Sequence, residues 1–413
     1  MSSKISPSTP ASPPKKIRVG VLGATGTVGQ RFITLLSEHP WFVIDSLGAS
    51  ERSKGKKYKE AVKWKQTVPL GGLGLGGIGV LDQEKTSSAD LHRDDGRAAD
   101  LIVKGCTPEE FKNCQIVFSG LDAEVAGDIE SAFRSANIPL FSNAKNYRRD
   151  PHVPLIVPLV NPSHLSIIHQ QQRLHSPPLS KGFIVTNANC STTGYVIPLA
   201  ALEKAFGPIE SVLVTTMQAI SGAGYPGVPS LDILGNVVPY IGGEEEKIEW
   251  ETLKILGGIT DSETEVDSDG TPLKAFDMHQ GNGKPALRVS ASCNRVPVID
   301  GHMECVSLRF HRRPPPSPQH VREALASFTP EIQSLGCPSA PRKAIEVFEE
   351  PDRPQPRLDV KGSHNGAGVS VGRVRQCQVL DIKFVVLSDN VSIGAATSSI
   401  INAEYAVLKG VVS

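Results

Sequence analysis

Apolar positions in the first part of the chain come in short dense runs, each followed by a stretch with helical spacing. Lys16-Ile17-Arg18-Val19-Gly20-Val21-Leu22-Gly23 reads as a buried strand, and VGQRFITLLSEHP, from Val28, reads as the helix after it. Further strands are predicted at 42–49 (FVIDSLGA), 115–119 (QIVFS) and 140–142 (LFS). Strands alternating with helices predict a doubly wound parallel sheet, because a parallel crossover needs a helix to return the chain. The pattern breaks at 70–100 and again at 164–182 (HLSIIHQQQRLHSPPLSKG), and both stretches are expected to be surface insertions.

From about Asn189 the periodicity changes. Apolar runs at 211–216, 287–291 and 304–310 follow one another without regular helical crossovers, which predicts an α+β unit with a mostly antiparallel sheet. The terminal stretch ATSSIINAEYAVLKGVV reads as a helix that returns to the first unit. The expected division is a Ser/Pro-rich disordered tail at 1–15, one domain from 16–188 with 389–413, and a second at 189–388. A length of 413 residues suits two domains, and 39% hydrophobic residues suffice for two cores.

Charge narrows the function classes. Lys+Arg and Asp+Glu are both 43, which argues against a nucleic-acid or anionic-membrane partner. No apolar run reaches the roughly 18 residues of a membrane span. Seven scattered cysteines (106, 114, 190, 293, 305, 337, 377) form no CxxC and no zinc spacing with histidine, so no metal is expected. With no secretory signal pattern, the chain reads as a reduced, cytoplasmic protein.

Two stretches suggest chemistry. In GVLGATGTVGQRF, Gly23, Gly26 and Gly29 sit where the first strand meets the first helix. The spacing is GxxGxxG, not the GxGxxG dinucleotide fingerprint, but the need is the same: N–H groups of a helix N-terminus facing a pyrophosphate. Gly23, Thr25, Gly26, Thr27 and Val28 are the candidate contacts. After the second strand, Ser50, Arg52 and Ser53 offer a cation and two hydroxyls, which suit the 2′-phosphate of NADP better than the ribose diol of NAD. Glu51 pulls the other way, and a solvated charged loop remains the alternative. In NANCSTTG (187–194), Cys190 stands at the start of a helical stretch among small polar residues. A helix N-terminus favours a thiolate, and its N–H groups favour an oxyanion. Buried structural cysteine is the competing reading, and the local sequence does not choose. His302, beside the run PVIDG, and Arg295 are candidates for moving a proton and holding a carboxylate.

Taken together, GATGTVGQRF, SNAKNYRRDPHVPLIVPLVNP, NANCSTTG, TTMQAISGAGYPG, VPYIGGEEEKIEWETLKILG, CNRVPVIDGH and SDNVSIGAA resemble the aspartate-β-semialdehyde dehydrogenase family, in its fungal and archaeal branch. The resemblance runs from residue 17 to the C-terminus and leaves out the tail and the insertions, which make this chain longer than is usual in the family. It implies a Rossmann-type NADP-binding domain, a catalytic and dimerisation domain, and a homodimer or homotetramer. It implies Cys190 as nucleophile, His302 as acid/base and Gln218 as the residue orienting the carbonyl. For the substrate it implies Arg295 on the α-carboxylate, Glu244 on the ammonium, Lys247 and Arg148 on phosphate, and Asn189 beside the nucleophile. Glu245 and Glu246 adjoin Glu244, and Arg149 adjoins Arg148, so each assignment has a neighbour as its alternative. Ser221, Gly222, Asn390 and Gly394 are implied as further cofactor contacts. The implied reaction interconverts L-aspartate-4-semialdehyde, phosphate and NADP+ with 4-phospho-L-aspartate and NADPH through a Cys190 thioester, on the route to threonine, methionine, isoleucine and lysine. Alternatives are a malonyl-CoA reductase, an N-acetyl-glutamyl-phosphate reductase, or a non-catalytic NADP-binding regulator.

Overall fold

The computed structural model describes residues 16–74, 97–267, 269–279, 286–362 and 365–412. The 1–15 tail and the middle of the 70–100 stretch lie outside them.

The first sheet has seven strands, all parallel: β1 (Ile17–Leu22), β2 (Phe42–Gly48), β3 (Val103–Lys104), β4 (Ile116–Ser119), β5 (Leu140–Ser142), β6 (Leu155–Ile156) and β7 (Ile184–Asn187), in the order β3-β2-β1-β4-β5-β7-β6. Strand periodicity sends alternate side chains to opposite faces. Val19 and Val21 join the core that holds Phe32 and Ile33 of helix α1 (Thr27–Leu36), while Leu22 and Val117 join a second core with Phe133 of helix α2 (Ala123–Ser135). Apolar cores on both faces explain why the strands read as continuous apolar runs.

Helix α3 (Cys190–Phe206) leads to the second sheet and lies against its inner face. Nearly every residue from Ser191 to Leu202 is buried, so the helix is apolar all round rather than amphipathic. The sheet contains β8 (Ile209–Gln218), β11 (Arg288–Arg295), β12 (His302–Phe310), β13 (Ile345–Val347), β14 (Val369–Gln376) and β15 (Ile382–Ser388), in the order β11-β8-β12-β15-β14-β13. Its three inner pairings are antiparallel and its two outer ones parallel, so it is mostly antiparallel, as expected. A separate hairpin joins β9 (Ile259–Val266) and β10 (Pro272–Phe276). Helix α4 (Glu244–Leu256) packs against α3 and β11, and helix α5 (Thr397–Leu408) returns to β4, β5 and β7.

One expectation fails. Residues 164–182 are not simply a surface insertion: Pro162–Ile167 is a 3-10 turn and Ile168–Leu174 a helix, with His164, Gln170 and Gln171 buried. Both glutamines bond main-chain groups, Gln171 reaching the N–H and C=O of Ile184 and Gln170 those of Lys274. Satisfied in this way, their amides are buried without the desolvation penalty that makes glutamine look like a surface residue. The flanks of the 70–100 stretch are likewise packed, with Leu73, Ala98 and Ala99 buried.

Candidate active site

Cys190 is the first residue of α3, and Asn189 caps the helix: its Oδ1 accepts the N–H of Ser191 (3.0 Å) and of Thr192 (3.1 Å). That cap corrects the expectation of a free helix N-terminus. The Ser191 and Thr192 N–H groups are already engaged and are not available to an oxyanion.

The ends of β8, β11 and β12 bring the other groups to the cysteine. Arg295 ends β11 opposite Gln218, which ends β8, and His302 opens β12. Cys190 Sγ lies 3.2 Å from His302 Nε2. Ala219 holds both partners: its N–H donates to His302 Nδ1 (3.1 Å) and its carbonyl accepts from Arg295 Nη1 (2.7 Å). Because Nδ1 accepts, the proton of the neutral ring sits on Nε2, facing the sulfur. Gly222 lies over the pair, where an added Cβ would come within 2.9 Å of Arg295 Nη1 and of His302 Cε1.

Helix α4 closes the opposite wall. Glu244 Oε1 accepts from Asn189 Nδ2 (2.6 Å) and its Oε2 from Lys247 Nζ (2.9 Å). The alternatives point elsewhere: Glu245 accepts the Cys293 N–H and Glu246 is exposed. Arg148 is buried, donating to Glu251 Oε1 (2.8 Å) and to the Asn143 carbonyl (3.0 Å), with its buried Nε left without a partner. Arg149 is exposed and lies over the Trp250 ring, 5.0 Å from its centroid. Geometry therefore brings Arg148, not Arg149, into the cluster.

Burial favours the neutral form of both Cys190 and His302. Burial, reinforced by Glu244, pushes the Cys190 thiol up to about 12, against the pull of Arg295, Arg148 and the Ser191 N–H. Burial and the adjacent Arg295 push His302 down to about 3. A helix N-terminus favours a thiolate, but here desolvation outweighs the dipole. Burial alone would raise the Glu244 carboxyl, but Lys247, Asn189 and Gln218 hold it below its ordinary value.

The glycine-rich turn lies beyond this cluster. Gly23 has φ +69°, and a Cβ there would meet the Gly120 carbonyl oxygen at 2.6 Å, while a Cβ on Gly29 would meet the Gly23 carbonyl oxygen at 2.2 Å. Only glycine allows this close crossing of turn and helix. Helix α1 has no side-chain cap and no acid in its first turn, so Thr27 and Val28 present an uncompensated N-terminus. Thr25 and Gly26 complete the turn, where the Gly26 N–H bonds the Gly23 carbonyl. Ser50, Arg52 and Ser53 form an exposed turn after β2, with the Ser53 N–H on the Ser50 carbonyl. Asn390 lies on the side of the second sheet, donating to Ser221 Oγ (2.9 Å) and accepting the Gly301 N–H (2.9 Å). Gly394 packs directly on Cys190, with a Cβ there 2.9 Å from Cys190 Cβ.

Sequence reading missed three groups. Glu251 and Lys254 extend the Glu244–Lys247 spacing along the same helix, and that repeat was the available signal. Glu304 on β12 is fully buried with neither carboxyl oxygen hydrogen-bonded among the described residues, a feature no local pattern announces. Among the described residues no group of three or more His, Cys, Asp or Glu could hold a metal ion, and no helix is long and apolar enough to cross a membrane.

Comparison with known proteins agrees with this geometry. Residues 18–168 match the family model "semialdehyde dehydrogenase, NAD binding domain", and residues 199–393 match "semialdehyde dehydrogenase, dimerisation domain". An aspartate-semialdehyde dehydrogenase of Cryptococcus neoformans is 58% identical over 97% of this chain and 100% of its own length. The extra length of this chain is thus shared with that relative. An archaeal one, from Archaeoglobus fulgidus, is 41% identical over 95% of this chain and 99% of its own. The crystal structure of the Candida albicans enzyme with NADP superposes with a TM-score of 0.78 at 47% identity, covering 96% of this chain and 100% of that one. On these grounds the chain belongs to the aspartate-semialdehyde dehydrogenase family, among its fungal and archaeal members.

Proposed function

We propose that this protein interconverts L-aspartate-4-semialdehyde, phosphate and NADP+ with 4-phospho-L-aspartate and NADPH, through a thioester on Cys190. The observation that carries the proposal is the Cys190–His302 contact of 3.2 Å inside a ring of Arg295, Glu244, Lys247 and Arg148. An amino-acid aldehyde needs partners for a carboxylate and an ammonium, and Arg295 and Glu244 are of those types. A CoA thioester would need no ammonium partner. The orphaned Nε of Arg148 and the Lys247 ammonium suit phosphate.

The turn of Gly23, Thr25, Gly26, Thr27 and Val28 suits a pyrophosphate, since it ends at a helix N-terminus with no side-chain cap and no acid in its first turn. Ser50, Arg52 and Ser53 would take the 2′-phosphate, and Ser221, Gly222, Asn390 and Gly394 would line the nicotinamide end. The Candida relative's bound NADP supports this choice over NAD. Bound NADP supplies the two-electron oxidant that turns a Cys190 thiohemiacetal into a thioester.

The chain's own residues do the rest. Cys190 sulfur adds to the aldehyde carbon and its thiol proton passes to the carbonyl oxygen, with Gln218 aligning the carbonyl and Arg295 and Glu244 holding the amino-acid end. His302 Nε2 then takes the proton from the thiohemiacetal hydroxyl as that carbon is oxidised. To do so the ring must carry its own proton on Nδ1 rather than Nε2, which releases the Ala219 N–H. A phosphate oxygen, steered by Arg148 and Lys247, then attacks the thioester. The C–S bond breaks, and the sulfur takes the proton back from His302 Nε2. A thioester keeps much of the reactivity of the acyl phosphate, which is why the covalent route works in both directions.

The unit of 16–188 with 389–413 serves as the cofactor domain in this reading, and 189–388 as the catalytic and dimerisation domain. Assembly as a homodimer or homotetramer, a cytoplasmic location suited to seven free cysteines, and a place in threonine, methionine, isoleucine and lysine synthesis belong to the same proposal. The test is NADP+ reduction with L-aspartate-4-semialdehyde. Turnover that requires phosphate supports the reading. Indifference to this aldehyde, with turnover of malonyl-CoA and NADPH instead, refutes it.

A further inference from the structure

The buried face of α4 carries two further charged residues, Glu251 and Lys254, to which the proposed mechanism gives no role. Lys254 is 1% exposed, yet no carboxylate lies within ion-pair distance of its ammonium among the described residues. Its Nζ instead donates to three main-chain carbonyls, those of Arg148 (2.8 Å), Asp150 (2.9 Å) and Val153 (2.9 Å). An ammonium has three donors, and all three are used on one stretch of six residues. The ring of Phe276 lies against it, 4.3 Å from Nζ to the centroid. One turn earlier, Glu251 bridges the Arg148 guanidinium to the N–H of Asn189, at 2.8 and 2.5 Å. The stretch that carries Arg148 is therefore held to α4 at both its main chain and its side chain, and α4 is held to the cap of the nucleophile helix.

We propose that Lys254 is a positioning residue for the phosphate site, holding the 148–153 segment so that the Arg148 guanidinium stays beside Cys190. This rests on the reading of Arg148 as the phosphate arginine. The physical reason is specific. Three carbonyl oxygens converge on one buried point and repel each other; that of Asp150 also accepts the Val153 N–H, but those of Arg148 and Val153 have no other donor among the described residues and stay unsatisfied unless the ammonium occupies it. Without the ammonium the segment must open toward water, and Arg148 moves with it. Displacements of about 1 Å are enough to cost of order a hundredfold in a positioned reaction. Thioester formation on Cys190 comes before phosphate is needed, and it depends on the segment only through the pull of Arg148 on the thiol and the Glu251 bond to the Asn189 N–H.

That separation sets the experiment. Lys254→Met and Arg148→Leu are assayed for NADP+ reduction with saturating semialdehyde, once at steady state with phosphate varied and once by rapid mixing without phosphate. The second assay reads thioester formation alone, as a burst of NADPH, with no need for a phosphate site. For Lys254→Met the KM for phosphate should rise by about tenfold or more, with the burst rate within about twofold of wild type. Equal loss in both assays would make Lys254 a purely structural residue, and no loss in either would make it idle; both overturn the proposal. If Lys254→Met does not fold, Lys254→Gln, which keeps two donors without the charge, is read in the same way. Arg148→Leu separates the two levels. If its phosphate KM is unchanged, the reading of Arg148 fails. If its phosphate KM rises and that of the Lys254 variant does not, only the role of Lys254 fails.

Discussion

At the scale of single residues, the site is a contest between desolvation and opposite charge. Cys190 and His302 touch, yet burial keeps the thiol protonated and the imidazole neutral, and the Ala219 N–H on Nδ1 reinforces the neutral ring. The free enzyme should therefore be slow to alkylate. The rate of iodoacetamide addition to Cys190, read by peptide mass spectrometry, should still be climbing above about pH 9. A plateau near neutral pH would mean that a thiolate–imidazolium pair already exists. A second prediction concerns Arg52. Its guanidinium stands on an exposed turn where a 2′-phosphate is proposed, so Arg52→Ala should raise the KM for NADP+ by about tenfold and leave that for NAD+ nearly unchanged. Equal changes in both would assign the cofactor preference to other residues. Cys190, His302 and Arg295 were legible as candidates because the chemistry requires those residue types at strand and helix ends. Their protonation was not, since it depends on what a fold closes around them.

At the scale of elements, α3 meets the β12–β15 pair at a tight seam. A Cβ on Gly194 would come within 2.4 Å of Ser388 Oγ, and Glu304 lies beside it. Glu304 is fully buried without hydrogen bonds, and desolvation raises its carboxyl well above 4.5. The folded state thus keeps a proton that the unfolded chain releases. Stability from this group is full below about pH 4.5 and falls as pH rises, by up to about 1.4 kcal/mol per unit until the folded-state value is reached. Glu304→Gln removes that dependence, so its stability advantage over wild type in urea melts should widen between about pH 5 and 8. A gap independent of pH would mean that Glu304 is ionised and paired. The strands of the first sheet were readable nearly to their ends, because burial on both faces leaves an unbroken apolar run. The 162–174 segment was not, because its glutamines and His164 are buried through bonds to main-chain groups far away in sequence. Polarity along the chain reports what a side chain is, and burial depends on whether it finds a partner.

At the scale of the whole molecule, the cysteine comes from the start of a helix that leaves the first sheet, while His302, Arg295 and Gln218 come from the second. The site forms only when the two sheets share α3. The outer face of the second sheet carries a half-exposed Leu213 on β8, and Ile299 is 77% exposed on the loop before β12. With the dimerisation-domain match over 199–393, this face is expected to be covered by a second copy. Sedimentation at micromolar concentration should show a dimer or tetramer, and Leu213→Lys should lower the assembly state; a wild-type monomer would contradict this. The central claim is the thioester, and pre-steady-state mixing of enzyme, semialdehyde and NADP+ without phosphate tests it most directly. The account predicts a burst of about one NADPH per subunit, then a stall that phosphate relieves, with no burst for Cys190→Ala. A burst that survives in Cys190→Ala, or steady turnover without phosphate, would contradict it.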